Sequence, residues 1–171
     1  GHLIDYVFSK RYLRKSIQKK RLRFNEKINL GEDTLFVSQY LCSCDWVQLV
    51  SGTSYVYHQY EPKTLSGFNE NYVEKLITAN QLILGSLQLQ FPLISDTTAW
   101  KKRCWSIFYY SIFFVLREYN ASESLKRVLL AQYFSMPEYR SYCCSLDDYM
   151  QDDPKIWRVL LRTHNADIVM L

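Results

Sequence analysis

Two long segments with helical periodicity dominate the second half of the chain. In residues 68–90 the apolar side chains recur every three or four positions and share one stripe of a helix. Residues 98–119 are so aromatic that the corresponding helix is expected to be buried on most sides. A capping box at Asn120–Glu123 and the Asp153-Pro154 pair predict the starts of two shorter helices. The second half is therefore predicted to be a helical bundle.

The composition excludes a disordered chain. Aromatic residues make up 16% of the 171 residues, and side chains of this kind gain too much from burial to stay in water. The longest apolar stretch, Trp105 to Leu116, is too short to cross a bilayer and includes two serines. We therefore expect a globular protein whose second half contains this stretch as a buried helix.

The five cysteines favour reduced thiols. Their number is odd and no secretory signal opens the chain, so a cytoplasmic location without disulfides is expected. Cys42-x-Cys44 and the adjacent pair Cys143-Cys144 lack the two-residue spacing of a zinc knuckle. Small buried apolar side chains are the favoured interpretation of these cysteines.

Positive charge is concentrated in residues 10–23. This segment carries eight cations and no acid, whereas the rest of the chain holds the other 13 basic residues against 17 acidic ones. Such asymmetry suggests an anionic partner, which could be phosphate, nucleic acid or a charged membrane face. A solvated helix face would explain the same pattern equally well.

The first half is predicted to contain two helices joined by a sharp turn. Residues 7–19 have the pattern of a short amphipathic helix with its basic residues outward. Gly31 allows the chain to turn, and Glu32 and Asp33 then open a second helix that runs to Leu41. Acids in a first turn lie near the positive end of the helix dipole.

Two strands are predicted after these helices. Trp46–Val50 and Tyr55–Tyr60 are rich in aromatic and β-branched residues, and a Ser-Gly-Thr-Ser segment separates them. We therefore expect an α+β fold that is mainly helical, in which a small two-stranded β element precedes the helical bundle.

One motif resembles a known enzyme family. It runs through FNEKINLGEDTLF at residues 24–36, continues in Tyr40-Leu41 and returns in YVYHQY at residues 55–60. This pattern, with the segment at residues 7–17 that leads into it, resembles the second half of bacterial family 2 glycosyltransferases of the GT-A fold. The likeness covers roughly the first sixty to seventy residues.

The resemblance implies a role for each polar residue of the motif. Asp33 would be the general base that takes the proton of the attacking sugar hydroxyl, and Glu32 would help to position the acceptor. Tyr57 and Tyr60 could stack on sugar rings, and His58 could contact the metal or the diphosphate. Structural roles compete with these assignments: acids favour the first turn of any helix, and histidine and tyrosine also pack in ordinary strands.

The resemblance also implies that half of the enzyme is missing from this sequence. Residues 1–62 would be the acceptor-side part, with Gly1-His2 as the remnant of a cleaved tag, and residues 63–171 would be the helical bundle. The absent half would hold the nucleotide sugar and, through an Asp-x-Asp motif, a divalent Mg or Mn ion. No Asp-x-Asp occurs here, so the isolated fragment is expected to be inactive and to bind no cofactor.

Several partners follow from this interpretation. They are a nucleotide-sugar donor, a glycan or lipid-linked acceptor, the inner face of a membrane contacted peripherally, and a second copy paired through the exposed sheet edge. A non-catalytic helical module that binds nucleic acid or a protein through Lys10–Arg23 is the alternative, although no helix-turn-helix or zinc signature supports nucleic acid as the partner.

Overall fold

A computed structural model describes residues 6–51, 70–117, 119–143 and 155–170. The chain divides into two compact units, which comprise residues 1–95 and 96–171. The domain boundary predicted at residue 62 lies outside the described residues. No helix in the described ranges is long and apolar enough to span a membrane.

Three helices form the described part of the first unit: α1 (Arg14–Lys20), α2 (Glu32–Leu41) and α3 (Tyr72–Gln88). Helices α2 and α3 pack against each other. Their contact is largely apolar, because Leu35 and Val37 of α2 and Val73 and Ile83 of α3 are all buried. Burying each such side chain contributes about 1.5–3 kcal/mol, so this helix pair is the core of the unit.

Residues 7–13 are not helical, so the helix predicted at residues 7–19 is shorter than expected. Ser9 has a positive φ of 58°, which interrupts an α-helix, and α1 begins only after Leu13. Of the apolar residues that suggested a helix, Tyr12 instead packs on α2, where its ring meets those of Phe36 and Tyr40 edge to face. Packing between elements therefore overrides the local periodicity.

The predicted two-stranded β element is wrong in the part that the structure describes. Trp46–Val50 adopts no strand, and four of its five side chains are exposed large apolar groups. Its expected partner, Tyr55–Tyr60, lies outside the described residues. Strand propensity mainly reflects packing against a neighbouring strand, and no described residue pairs with this segment. The mainly helical character is confirmed, whereas the sheet edge expected to mediate self-association is absent from the described residues.

The second unit is a helical assembly, in agreement with the mainly helical fold that was predicted. A 3₁₀ turn at Ile94–Asp96 spans the boundary, and the described helices of this unit follow it. They are α4 (Thr98–Arg117), α5 (Glu123–Ser135), α6 (Pro137–Cys143), α7 (Lys155–Arg162) and α8 (Ala166–Val169). Helix α4 packs on α5 and α6, helix α5 also contacts α6 and α8, and α7 contacts α8.

The cap of α5 differs from the prediction. Ser122, not Asn120, is the residue at the N-cap, and its hydroxyl accepts a hydrogen bond from the Leu125 amide at 3.3 Å. A serine hydroxyl three positions before an amide satisfies one of the unpaired donors of the first turn. The N-cap therefore lies two residues later than the capping-box spacing suggested. The Asp153-Pro154 start predicted for α7 lies outside the described residues.

Tyr139 lies at the centre of the second unit. Its ring is fully buried and contacts Phe108, Phe134 and His164. Its hydroxyl donates a hydrogen bond to the Leu161 carbonyl at 2.9 Å. Burial raises the pKa of this phenol, so the hydroxyl stays protonated and remains a donor. One buried side chain thus joins α6 to α4, α5 and the end of α7.

Tyr139→Phe is expected to destabilise the protein by about 1–2 kcal/mol, because it removes a buried hydrogen bond and leaves the Leu161 carbonyl with only the longer one from the His164 amide, at 3.4 Å. Tyr110→Phe is the matched control: Tyr110 is 70% exposed, and the change there should fall within about 0.5 kcal/mol of zero. Urea denaturation followed by circular dichroism measures both variants. Equal midpoints for the two would show that the buried hydroxyl contributes nothing measurable.

Candidate functional site

The acidic pair of the motif occupies the first turn of α2, as predicted. Glu32 is the first residue of the helix and Asp33 the second, and both side chains are partly buried. The positive end of the helix dipole lies beside them, which favours negative charge. Adjacent helical residues point about 100° apart, so the two carboxylates do not face the same spot.

Neither carboxylate is used to hold the described fold together. The N-cap of α2 is Gly31, which has no side chain to cap the helix, and no described residue donates a hydrogen bond to the side chain of Glu32 or Asp33. Neither acid forms an ion pair within the described residues. Within the described residues, favourable interaction with the helix dipole is therefore the structural role that remains for the two carboxylates.

Gly31 fixes the position of this turn. Its φ of 82° lies in the left-handed region that side chains disfavour. A Cβ atom built there would also lie 2.8 Å from the Cβ of Ala79 in α3, which is closer than real carbon atoms approach. The absence of a side chain therefore allows the start of α2 to rest directly on α3, and this contact positions Glu32 and Asp33.

The negative charge of Asp33 affects the pKa of Tyr12. Burial, together with the negative charge of Asp33 and the nearby Tyr40 phenol, raises the pKa of Tyr12 to about 12. Its hydroxyl donates a hydrogen bond to the Val7 carbonyl at 3.1 Å. The charge of Asp33 therefore acts on a side chain of the segment at residues 6–13. This interaction could not be predicted, because the two residues are distant along the chain and belong to different elements.

The other predicted site residues are not brought together in the described structure. Tyr57, His58 and Tyr60 lie outside the described residues. No group of three or more histidine, cysteine, aspartate or glutamate side chains suited to a metal ion occurs in the described ranges. The described residues thus supply a candidate base but not a metal site.

The thiols of Cys42 and Cys44 make separate local contacts. Cys42 Sγ lies 3.9 Å from the Ser86 carbonyl oxygen and Cys44 Sγ lies 3.3 Å from that of Tyr40. Burial raises the pKa of Cys42, which disfavours its reactive thiolate form. Both are free cysteines, but they are only partly buried and not buried as the sequence suggested.

A second candidate site is the basic surface formed by α1 and its flanks. Its members are all exposed, and none forms an ion pair with another described residue. They are Arg11, Arg14, Lys15, Lys19, Lys20, Arg21 and Arg23. Lys10 is set apart from them, because its ammonium group donates to the carbonyls of Tyr6 and Phe8.

Hydrogen bonds at the C-terminus of α1 fix the backbone that carries part of this basic surface. Arg21 adopts the left-handed conformation, with φ of 52°, and the Leu22 amide donates to the Ile17 carbonyl at 3.0 Å. This is the hydrogen-bond pattern of a Schellman motif. Lys19 and Lys20 occupy the last turn, where cations also favour the negative end of the helix dipole.

Asp33→Asn is expected to lower the pKa of Tyr12 towards 10, because the amide no longer opposes the tyrosinate charge. The folded-state pKa exceeds the unfolded one, so Tyr12 contributes stability that is fully present below pH 10. This contribution is lost as the pH rises towards 12. Nuclear magnetic resonance of protein labelled with ¹³C at the tyrosine ζ carbon would follow the titration.

The control for this titration is Glu32→Gln, which removes a neighbouring charge that does not act on Tyr12. Its Tyr12 midpoint should equal that of the unaltered protein. An unchanged midpoint in Asp33→Asn would show that the carboxylate lies too far from the phenol to form one site with it.

Comparison of the chain with protein-family models, with curated proteins and with solved structures gave no match.

Proposed function

We propose that this chain is the acceptor-side portion of an inverting glycosyltransferase, in which Asp33 is the general base. The observation that best supports this proposal is the placement of Asp33. Its carboxylate lies in the first turn of α2, and Gly31 allows this turn to pack directly on α3. The carboxylate accepts no hydrogen bond from another described residue. A base has to be both fixed in position and unoccupied, and this arrangement meets the two requirements.

The reaction needs a carboxylate near the attacking hydroxyl. The acceptor oxygen forms a bond to the anomeric carbon while the bond from that carbon to the nucleoside diphosphate breaks. The hydroxyl proton passes to Asp33, and the electron pair of the broken bond leaves with the diphosphate. Attack from the face opposite the leaving group inverts the anomeric configuration, and the base acts within about 2.6–3.2 Å of the hydroxyl oxygen.

The remaining roles follow from the sequence resemblance. Glu32 would position the acceptor from the same helical turn, and Tyr57 and Tyr60 would stack on sugar rings. His58 would lie towards the diphosphate or its metal. A divalent Mg or Mn ion would neutralise the leaving diphosphate, and the resemblance implies that most of its ligands belong to the nucleotide-binding half.

The test is an assay of the full-length protein that contains both this chain and a nucleotide-binding half. Release of nucleoside diphosphate is measured for a panel of nucleotide sugars, with glycan and lipid-linked acceptors. Transfer should occur with one donor class, and the product anomer should be inverted relative to the donor. The proposal fails if no nucleotide sugar binds, or if the product retains the donor configuration.

The basic surface supports a second candidate function, a non-catalytic module that binds nucleic acid. Seven exposed cations could contact phosphates, and the logarithm of the affinity for duplex DNA would then fall with the logarithm of salt concentration, with a slope of up to about −6. Fluorescence anisotropy with a generic duplex at several salt concentrations separates the two functions. A salt-independent baseline discards this candidate.

A further inference from the structure

Exposed apolar side chains accompany the basic surface in the first unit. Leu13, which lies between Arg11 and Arg14, is 62% exposed, and Trp46 is 71% exposed. Val47, Leu49 and Val50 continue the apolar segment and are also exposed. Single exposed apolar residues are ordinary, but four large ones within five positions form a patch of the kind that marks an interaction site.

The basic surface and the apolar segment both start from the last turn of α2. The Leu13 amide, just before α1, donates to the Tyr40 hydroxyl of that turn at 2.8 Å. The chain leaves the same turn through a hydrogen bond from the Cys44 amide to the Leu41 carbonyl at 3.1 Å, and Trp46 follows two residues later. The fold therefore anchors the cationic and the apolar groups at one end of one helix.

We infer that this end of the first unit docks on an anionic phospholipid bilayer. The cations are complementary to acidic headgroups, and each contributes to binding near the surface. Tryptophan and aliphatic side chains favour the boundary between headgroups and acyl chains. A nucleic acid would use the cations but would leave the aliphatic segment in water, so the combination favours a membrane. This inference does not depend on the sugar-transfer proposal.

Vesicle binding by the 171-residue chain tests the electrostatic part. Sedimentation is measured with vesicles of phosphatidylcholine alone and of phosphatidylcholine mixed with phosphatidylglycerol. The chain should bind the anionic vesicles and not the neutral ones. Lys19→Gln combined with Lys20→Gln should weaken binding about 25-fold, since each lost cation near the surface costs about a factor of five.

The matched control uses another adjacent pair of exposed lysines, Lys101 and Lys102 of α4. Lys101→Gln combined with Lys102→Gln removes the same charge from the second unit and should change the affinity less than twofold. Circular dichroism should show unchanged helix content for both double variants. Equal losses in the two would overturn the assignment of the basic surface, because total charge alone would then control binding.

Trp46 gives a direct test of the apolar part. Of the four tryptophans, Trp100 and Trp105 are buried and Trp157 is partly buried, so Trp46 dominates any solvent-dependent change in emission. Anionic vesicles should shift the emission to shorter wavelength, and Trp46→Phe should abolish the shift. Binding without a shift would overturn insertion of the segment.

Two further results would overturn the inference as a whole. The first is equal affinity for neutral and anionic vesicles, or no binding to either. The second is salt-sensitive binding to duplex DNA without binding to vesicles, which would assign the basic surface to nucleic acid. Failure in these assays leaves the glycosyltransferase assay unaffected, so the two proposals can be judged separately.

Discussion

Asp33→Asn in the full-length protein is expected to lower kcat for sugar transfer by about 10²–10⁴-fold, the usual contribution of a positioned general base. Asparagine has the same shape as aspartate but cannot take up the hydroxyl proton. The carboxylate accepts no hydrogen bond from another described residue, so the substitution should leave the fold intact. The loss should therefore appear in kcat, with little change in KM for the nucleotide sugar.

Two control variants show whether the loss of activity is specific to Asp33. Asp45→Asn removes an exposed carboxylate just beyond α2 and should leave transfer unchanged. Glu32→Gln should raise KM for the acceptor more than it lowers kcat, since this residue is proposed to position the acceptor and not to take its proton. Full activity of Asp33→Asn would refute the assignment of the base.

Gly31→Ala is expected to destabilise the first unit by about 2–5 kcal/mol. The left-handed backbone costs about 1–2 kcal/mol for a residue with a Cβ atom, and the forced contact with Ala79 adds about 1–3 kcal/mol of overpacking. Amide hydrogen exchange in α2 and α3 is the suitable measurement, because it reports on this unit even if the two units unfold separately.

Gly85→Ala is the control within the same unit. Gly85 is exposed in the interior of α3, and a Cβ atom there would meet nothing within 4 Å. This substitution should stabilise the unit by about 0.5–1 kcal/mol, because alanine is a better helix former. If both alanine variants changed exchange protection in the same direction, the close approach at Gly31 would not be the cause.

The long helices could be predicted because their information is local. In α3 and α4 an apolar stripe continues over many turns, and α4 begins at Thr98 as predicted. The position of Glu32 and Asp33 in the first turn of α2 was also predicted, since Gly31 and two acids mark a helix start. Such signals need no knowledge of distant residues.

The errors arose where distant contacts decide the conformation. Residues 7–13 have helical spacing but are held by the rings of α2, and Trp46–Val50 has strand composition but no paired strand in the described residues. The α5 cap was misplaced because Ser122 and Asn120 are both good caps, and sequence alone does not rank them.

The candidate site was predicted only in part for the same reason. The motif identified Asp33 and Glu32, but the contact between Gly31 and Ala79 and the influence of Asp33 on Tyr12 join separate elements. Neither contact leaves a periodic or compositional trace in the sequence. A prediction from residue types therefore identifies the two acids but not the residues of other elements that surround them.

The close contact between Gly31 and Ala79 has a consequence for the order of folding. Bringing residue 31 against residue 79 closes a long loop, and loop closure costs entropy before the contact is gained. Helix α2 has ten residues and is too short to be stable alone, so its first turn becomes fixed only when α3 packs against it. The carboxylate of Asp33 would thus reach its native position only in the step that brings α2 and α3 together.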